Sequence, residues 1–383
     1  MNVLVVCHIG LYHDLTASFV HNQVRALVSL GCRVRVLIPT VLGKADGEGR
    51  RFLPLTEKKS ADGAELFYFR HPTLSRLGRT GGNARLAIAF LAPLLARVTR
   101  DFTPDIIHAH TLGYDSVIGA WLKKKLSCPL VVTTHGTDTV RPLENGQAAL
   151  LKSWCDAADA VVAVSTALQR KLLLASPQKA PVVILNGFAS HALPAAPAVR
   201  DPYRLIQVGH LIPQKRFDVT LRALALLRRD YPKVTLTVIG EGSERARLEA
   251  LANELGLSEA VAFLGKLPND RVLAEMSASS FFVMASKPEG FGIVYAEAMA
   301  AGCLTVGTEG EGIADLIVSG QNGYLVPADD PSAIRDVIAA SLAHPADAAD
   351  MAARGKRDAL LLTWEANAEK HIALYQKLLH PSH

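Results

Sequence analysis

The sequence is poor in cysteine. Cys7, Cys32, Cys128, Cys155 and Cys303 are the only five in 383 residues, widely spaced and without a Cys-x-x-Cys pair. That excludes a disulfide framework and a thiolate zinc site, and predicts reduced thiols in a cytosolic compartment. Long apolar runs are also missing. The longest uncharged one, Leu86 to Ala96, is too short to span a bilayer and is interrupted by Pro93. The first residues lead straight into an apolar strand, Val3-Leu4-Val5-Val6, with no basic segment before it, so no secretory signal is expected. Neither charge sign dominates: a net charge of +5 gives no argument for a nucleic-acid partner. No short repeat or low-complexity tract is visible. No Gly-x-Gly-x-x-Gly opens the chain, which counts against a dinucleotide-dependent dehydrogenase. What remains, nearly half apolar and one fifth charged, is an ordinary soluble composition with length enough for two cores.

Short Val/Ile/Leu runs predict strands at 2–7, 33–38, 65–70, 105–109, 129–134, 160–164 and 181–185. They are apolar on both faces, as parallel strands covered by helices must be. Helical stretches lie between them. In Thr16–Leu30, Phe19, Val20, Val24, Leu27 and Val28 form one stripe and Gly31 closes the end. The pattern breaks in the Pro/Ala-rich Ala192–Asp201 and then restarts, with strands at 203–208, 234–240 and 261–264 and helices at 217–229, 244–255 and 269–277. The reading is an α/β protein with two Rossmann-like, doubly wound parallel-sheet domains, residues 1–196 and 197–365, facing a cleft. Ligands are expected at the carboxyl ends of the strands.

The most informative stretch is 284–303, M-A-S-K-P-E-G-F-G-I-V-Y-A-E-A-M-A-A-G-C. An apolar run ends at Ser286-Lys287-Pro288, a glycine-flanked turn follows, and a helix starts near Ile293. Strand, tight loop and helix N-terminus together present backbone N–H groups and a positive dipole end to an anion. Glu289 on the loop and Glu297 on the helix can face one cavity, and carboxylates are good acceptors for vicinal hydroxyls.

This string resembles the E-x7-E signature of the retaining glycosyltransferases of the GT-B fold, GT4 type, and the resemblance extends over nearly the whole chain. It implies that Glu297 accepts ribose hydroxyls and that Glu289 sits at the donor sugar. Gly290, Phe291, Gly292 and Ile293 then lie near the sugar and phosphate. Val208-Gly209-His210 through Lys215-Arg216 resembles the family's Gly-Arg-Leu-x-x-x-Lys-Gly stretch, whose cations neutralise a diphosphate. Lys215 falls on the Lys, His210 replaces the Arg and Arg216 the Gly. Gly240, in Ile239-Gly240-Glu241-Gly242, matches a Gly-x-Gly turn that is also common as plain strand-to-helix punctuation. Gly265, Lys266 and Leu267 stand where relatives hold the base through backbone groups.

On the acceptor side, Thr133-Thr134-His135-Gly136-Thr137-Asp138 resembles the family's strand-H-G-x-D element. His135 is implied at the donor sugar, the alternative being a satisfied loop histidine. Of the Ile107-His108-Ala109-His110 strand end, His108 reads as core and His110 as cleft-lining. Gly10 lets the first loop approach the reacting centre, and Asn186 opens an Asn-Gly turn whose usual acid is replaced by Ala189. His135, Glu289 and Lys215 are thus the candidate catalytic residues, Asp138 an acceptor-side one.

The family implies transfer from a UDP- or GDP-sugar with retention, by front-face attack with the leaving phosphate as proton acceptor. No cofactor or metal is implied: no D-x-D stands in a suitable loop, and Asp329-Asp330 precedes Pro331 in a turn. The final helix, within 366–383, is expected to cross back onto the first domain. The helix near Ser18–Leu27 is similar to that of relatives in bacterial exopolysaccharide and envelope assembly, so saccharide or lipid-linked saccharide acceptors are expected. Arg76, Arg79, Arg85, Arg97 and Arg100 surround an apolar segment, 76–100, that suits peripheral contact with an anionic inner leaflet. Its leucines suit packing on the sheet equally well. Two rivals remain: a nucleotide-sugar 2-epimerase or synthase of the same fold, and a non-catalytic nucleotide-sugar-binding subunit.

Overall fold

The computed structural model describes residues 1–8, 19–42, 55–74, 82–189, 193 and 199–380. Gly10, Arg76, Arg79 and most of the Ala192–Asp201 segment lie outside them. The chain divides into two units, Met1–Gly187 with Trp364–His383, and Phe188–Thr363.

Unit 1 contains β1 (Asn2–Val6), α1 (Phe19–Ser29), β2 (Arg33–Val41), β3 (Thr56–Ala61), β4 (Ala64–His71), α2 (Asn83–Leu91), α3 (Leu95–Thr99), β5 (Ile106–Ala109), α4 (Tyr114–Leu126), β6 (Leu130–Thr134), α5 (Thr137–Glu144), α6 (Ala148–Ala157), β7 (Ala160–Ala163), α7 (Thr166–Leu173) and β8 (Val182–Val183). The C-terminal helix (Trp364–Leu379) belongs to the same unit. The sheet runs β3-β4-β2-β1-β5-β6-β7-β8. Every pairing is parallel except the β3–β4 hairpin, turned at Asp62-Gly63 with both residues at positive φ. Polar, edge-placed β3 reads Thr-Glu-Lys-Lys-Ser-Ala, so no apolar run announced it. In the 83–100 segment, Ala84, Ala87, Leu91 and Val98 turn inward while Arg85, Arg97, Arg100 and Phe90 face solvent. A 3-10 turn at Ala92–Leu94 around Pro93 divides the segment into two helices.

Unit 2 contains β9 (Asp201–Val208), α8 (Phe217–Leu227), β10 (Thr235–Ile239), α9 (Arg245–Glu254), β11 (Val261–Phe263), α10 (Asn269–Ala278), β12 (Ser279–Val283), α11 (Ile293–Ala300), β13 (Leu304–Thr308), β14 (Tyr324–Val326), α12 (Pro331–Ala343) and α13 (Pro345–Leu360). Its sheet is wholly parallel, in the order β11-β10-β9-β12-β13-β14. Strand order reverses between β9 and β12 here, and between β1 and β5 in unit 1. At such a reversal the two outgoing loops part to opposite faces and leave a crevice at the carboxyl ends of the strands. Among the described residues no helix is long and apolar enough to cross a membrane.

Candidate active site

The loops leaving β9, β10 and β11 are laced by backbone hydrogen bonds. Gly209 N–H donates to Ile239 O at 3.0 Å, Gly240 N–H to Gly265 O at 2.8 Å, and Leu211 N–H to Glu241 O at 3.0 Å. A Cβ on Gly240 would lie 1.9 Å from Gly209 O, so this glycine is required by loop packing whatever it does for a ligand. The lacing fixes the 3-10 turn Pro213–Lys215, whose Lys215 carbonyl accepts from Gln207 Nε2 at 2.9 Å. Lys287 N–H donates to Gln214 O at 2.8 Å, which ties this turn to the loop after β12.

Across the reversal the two predicted charges meet. Lys215 Nζ donates to Glu289 Oε2 at 2.5 Å, and Ser286 Oγ donates to the same oxygen at 2.9 Å. Both charged side chains are mostly buried. Glu289 N–H in turn donates to Glu311 Oε2 at 2.9 Å. Glu311 was not anticipated, although Glu309-Gly310-Glu311-Gly312 after β13 repeats the acid-glycine alternation of 289–292. Gly292, at φ +76, caps α11 in a conformation only glycine adopts freely. Phe291 is buried core, so only its backbone is available to a ligand. Ile293 opens α11. Tyr295 O–H donates to Met284 O at 2.7 Å and pins the helix to the end of β12. Glu297 lies one turn on, and burial pushes its carboxyl up to about 7.

The remaining donor-side positions are less central. His210 is exposed in the β9 loop. Arg216 sits at φ 51, ψ 41, the left-handed conformation that explains why glycine suits this position. Its Nη2 lies 3.1 Å from Asp329 Oδ1. Asp330 caps α12 by accepting from Ser332 and Ala333 N–H, so the Asp-Asp pair has structural duties. Lys266 is exposed, and Leu267 packs partly on the core.

In unit 1 the strand ends carry imidazoles. His110 Nδ1 is 3.3 Å from His135 Nε2, and the rings are stacked. Phe19 covers His135 with ring centroids 4.2 Å apart. His108 is satisfied on both nitrogens, by Thr133 Oγ1 and Tyr375 O–H, each at 2.7 Å, which is the core role expected of it. His371 of the C-terminal helix stacks on His108 at 5.2 Å, a partner the sequence did not suggest. Asp138 accepts from Leu112, His135 and Gly136 N–H at 2.9, 3.1 and 3.0 Å, tying the β5 and β6 loops. Burial holds His135 down to about 3 and His371 to about 4, and keeps His108 and His110 well below the usual range. All four rings are neutral near pH 7. His135 Nδ1 is buried with no partner among the described residues. Asn186 is buried near the end of the unit.

Two α/β units, each with a strand-order reversal, one of them gathering a lysine, carboxylates and a helix N-terminus there, define the architecture. The comparisons with known proteins make the class specific. The family model described as "Glycosyltransferase Family 4" matches residues 16–190, and "Glycosyl transferases group 1" matches 193–358. The chain belongs to the GT4-type glycosyltransferases of the GT-B fold. An uncharacterized glycosyltransferase of Methanocaldococcus jannaschii is 27% identical over 277 residues, 72% of this chain and 76% of that one. The glycogen synthase of Mycobacterium tuberculosis is 29% identical over 291 residues, 72% and 69% of the two chains. HepE of Anabaena, solved with UDP and glucose, shares the fold at TM-score 0.75 and 21% identity, with 98% and 100% covered.

Proposed function

We propose that this enzyme transfers a sugar from a UDP- or GDP-sugar to a hydroxyl of a saccharide or lipid-linked saccharide, with retention and without a metal. Bacterial polysaccharide or envelope synthesis at the cytoplasmic side of the membrane is the setting that fits. The observation that carries the reading is the Lys215–Glu289 pair at the strand-order reversal of unit 2, beside the Gly290–Gly292 turn and the start of α11. A departing diphosphate develops negative charge that Lys215 and the helix-terminal amides stabilise without an added cation. Glu289, held by Lys215, Ser286 and the turn, is an acceptor for sugar hydroxyls. Glu297 on the next turn is an acceptor for a ribose. UDP in the HepE complex supports a nucleoside diphosphate as the ligand class.

The test is nucleotide release. Incubation with a panel of UDP- and GDP-sugars plus glycoside acceptors should release UDP or GDP and yield a product of unchanged anomeric configuration. Epimer formation without acceptor would support the rival enzyme reading, and nucleotide binding without turnover the binding-subunit reading. Exposed Phe90 among Arg85, Arg97 and Arg100 supports peripheral contact with an anionic leaflet. Co-sedimentation with anionic vesicles that fades with salt is the expected result.

A further inference from the structure

Within unit 2, Glu289 is held twice over. Its carboxylate takes Lys215 Nζ at 2.5 Å and Ser286 Oγ at 2.9 Å, both on Oε2. Its main chain is gripped by the loop that leaves β13. Glu289 N–H donates to Glu311 Oε2 at 2.9 Å, and Gly312 N–H donates to Glu289 O at 3.4 Å. Two successive residues of one loop thus engage both polar main-chain atoms of Glu289. Glu311 is itself fixed. It is 5% exposed and stands extended at φ −100, ψ 174 ahead of the 3-10 turn Gly312–Asp315. Its carbonyl accepts from Ala314 N–H at 3.0 Å. The foot of the loop is tied to β14, where Glu309 N–H donates to Val326 O at 3.0 Å. A Cβ on Gly312 would lie 2.1 Å from Gly290 O, so this loop and the 289–292 turn meet backbone to backbone.

A loop amide does not require a carboxylate. Water, a hydroxyl or a carbonyl satisfies one at lower cost, because burying an acid is expensive. The gain is stiffness, since a hydrogen bond to a carboxylate is roughly twice as strong as one to a neutral acceptor. Glu311 therefore fixes the backbone of the residue whose side chain meets Lys215. Displacing a catalytic group by about 1 Å is enough to cost about a hundredfold in rate. The same bond removes Glu289 N–H from the amides that an anion at the start of α11 could use.

We propose that Glu311 is the positioning residue of the 286–292 turn. By holding the main chain of Glu289 it aligns the Glu289 carboxylate with Lys215, and it acts on turnover through that pair. The effect on turnover rests on the transferase reading, whereas the alignment of the pair does not. An aligning role needs an acceptor oxygen at the right reach. Glu311→Gln keeps one, Glu311→Ala removes it, and Glu311→Asp keeps the charge but falls a methylene short. Glu311→Gln should therefore work close to wild type, and the other two well below it. A carboxylate acting by its charge would instead leave Glu311→Gln as impaired as Glu311→Ala.

The experiment uses the full chain, with UDP-glucose and GDP-mannose as donors and p-nitrophenyl glycosides as acceptors. Glu311→Ala should lower kcat by about thirtyfold, with donor KM and calorimetric affinity for free UDP and GDP within about threefold of wild type. Glu311→Gln should keep kcat within about threefold. A double-mutant cycle between Lys215→Met and Glu289→Gln, read by chemical denaturation, tests the alignment without turnover. In the wild-type background the pair should couple by about fivefold in the unfolding constant, and in the Glu311→Ala background by less than about twofold. Glu311→Asp takes the place of Glu311→Ala in both measurements if the latter does not fold. Coupling absent from wild type, or undiminished by Glu311→Ala, would overturn the proposal. So would a Glu311→Ala kcat within about threefold of wild type, or Glu311→Gln as slow as Glu311→Ala. If neither nucleotide binds and no donor turns over, the transferase reading fails instead, and the cycle still decides whether Glu311 aligns the pair.

Discussion

The two units share a strand-order reversal in a mainly parallel sheet and put opposite chemistry beside it. In unit 2 the strand-order reversal gathers Lys215, Glu289 and Glu311, with Glu297 one turn away. In unit 1 it gathers neutral imidazoles, His110 and His135, backed by His108 and His371. A doubly wound sheet fixes where a ligand goes, while the residues at the strand ends decide what it is. Cation and carboxylates suit a charged leaving group and its sugar, and uncharged rings suit hydroxyls. The difference also gives the units opposite responses to pH.

The largest expected effect is on unit 1. Its four buried rings have folded pKa values depressed below the unfolded value near 6.5. The unfolded chain therefore binds protons that the folded unit refuses. Stability is full above about pH 6.5 and falls with acid, by up to about 1.4 kcal/mol per ring per pH unit. Thermal melts should drop steeply from pH 6.5 to 5, and His371→Gln should flatten that drop. A melt indifferent to acid would show that the rings are charged or exposed in solution.

Next is Lys215→Ala, which should lower kcat by about a hundredfold by removing the charge aimed at the leaving diphosphate. Steady-state nucleotide release measures it. A loss confined to KM would mean that Lys215 only binds.

Glu297 tests the opposite sign. Its folded pKa, about 7, lies above the unfolded value, so the folded unit holds a proton that the unfolded chain has released. The stabilisation is present at low pH and lost as pH rises from about 4.5 through 7. Glu297→Gln should therefore stabilise unit 2 at pH 8, by up to about 3 kcal/mol, and change little at pH 4. The same substitution should weaken nucleotide binding by about 1.5 kcal/mol. Chemical denaturation at the two pH values separates these effects.

The smallest effect concerns Arg216. Replacing it with glycine should relieve left-handed strain and raise stability by about 0.5 kcal/mol. Retained turnover would leave Asp329 as its only business, whereas a lost turnover would show that Arg216 supplies charge to the donor.

Unit 2 was the more legible half. Its strands are apolar on both faces, so 203–208, 234–240 and 261–264 anticipated β9, β10 and β11 nearly to the residue. Glu289 and Glu297 could be read from the strand, turn and helix pattern of 284–303, whereas Lys215 was named on the family resemblance alone. Strand β3 was missed because a charged edge strand has no apolar signature. Glu311 was missed because its duty is a backbone contact 22 residues away. The histidine stack was only half visible: His110 and His135 follow strands, but Tyr375 reaches His108 from 267 residues along the chain. Contacts of that span leave no periodic trace in sequence.

The most direct test of a nucleotide-sugar site at the unit 2 reversal is calorimetric titration of UDP and GDP into wild type, Lys215→Ala and Glu297→Gln. One of the two nucleotides should bind wild type, and each substitution should weaken that binding by about tenfold or more. Binding of neither nucleotide, or equal affinity in all three proteins, would contradict it.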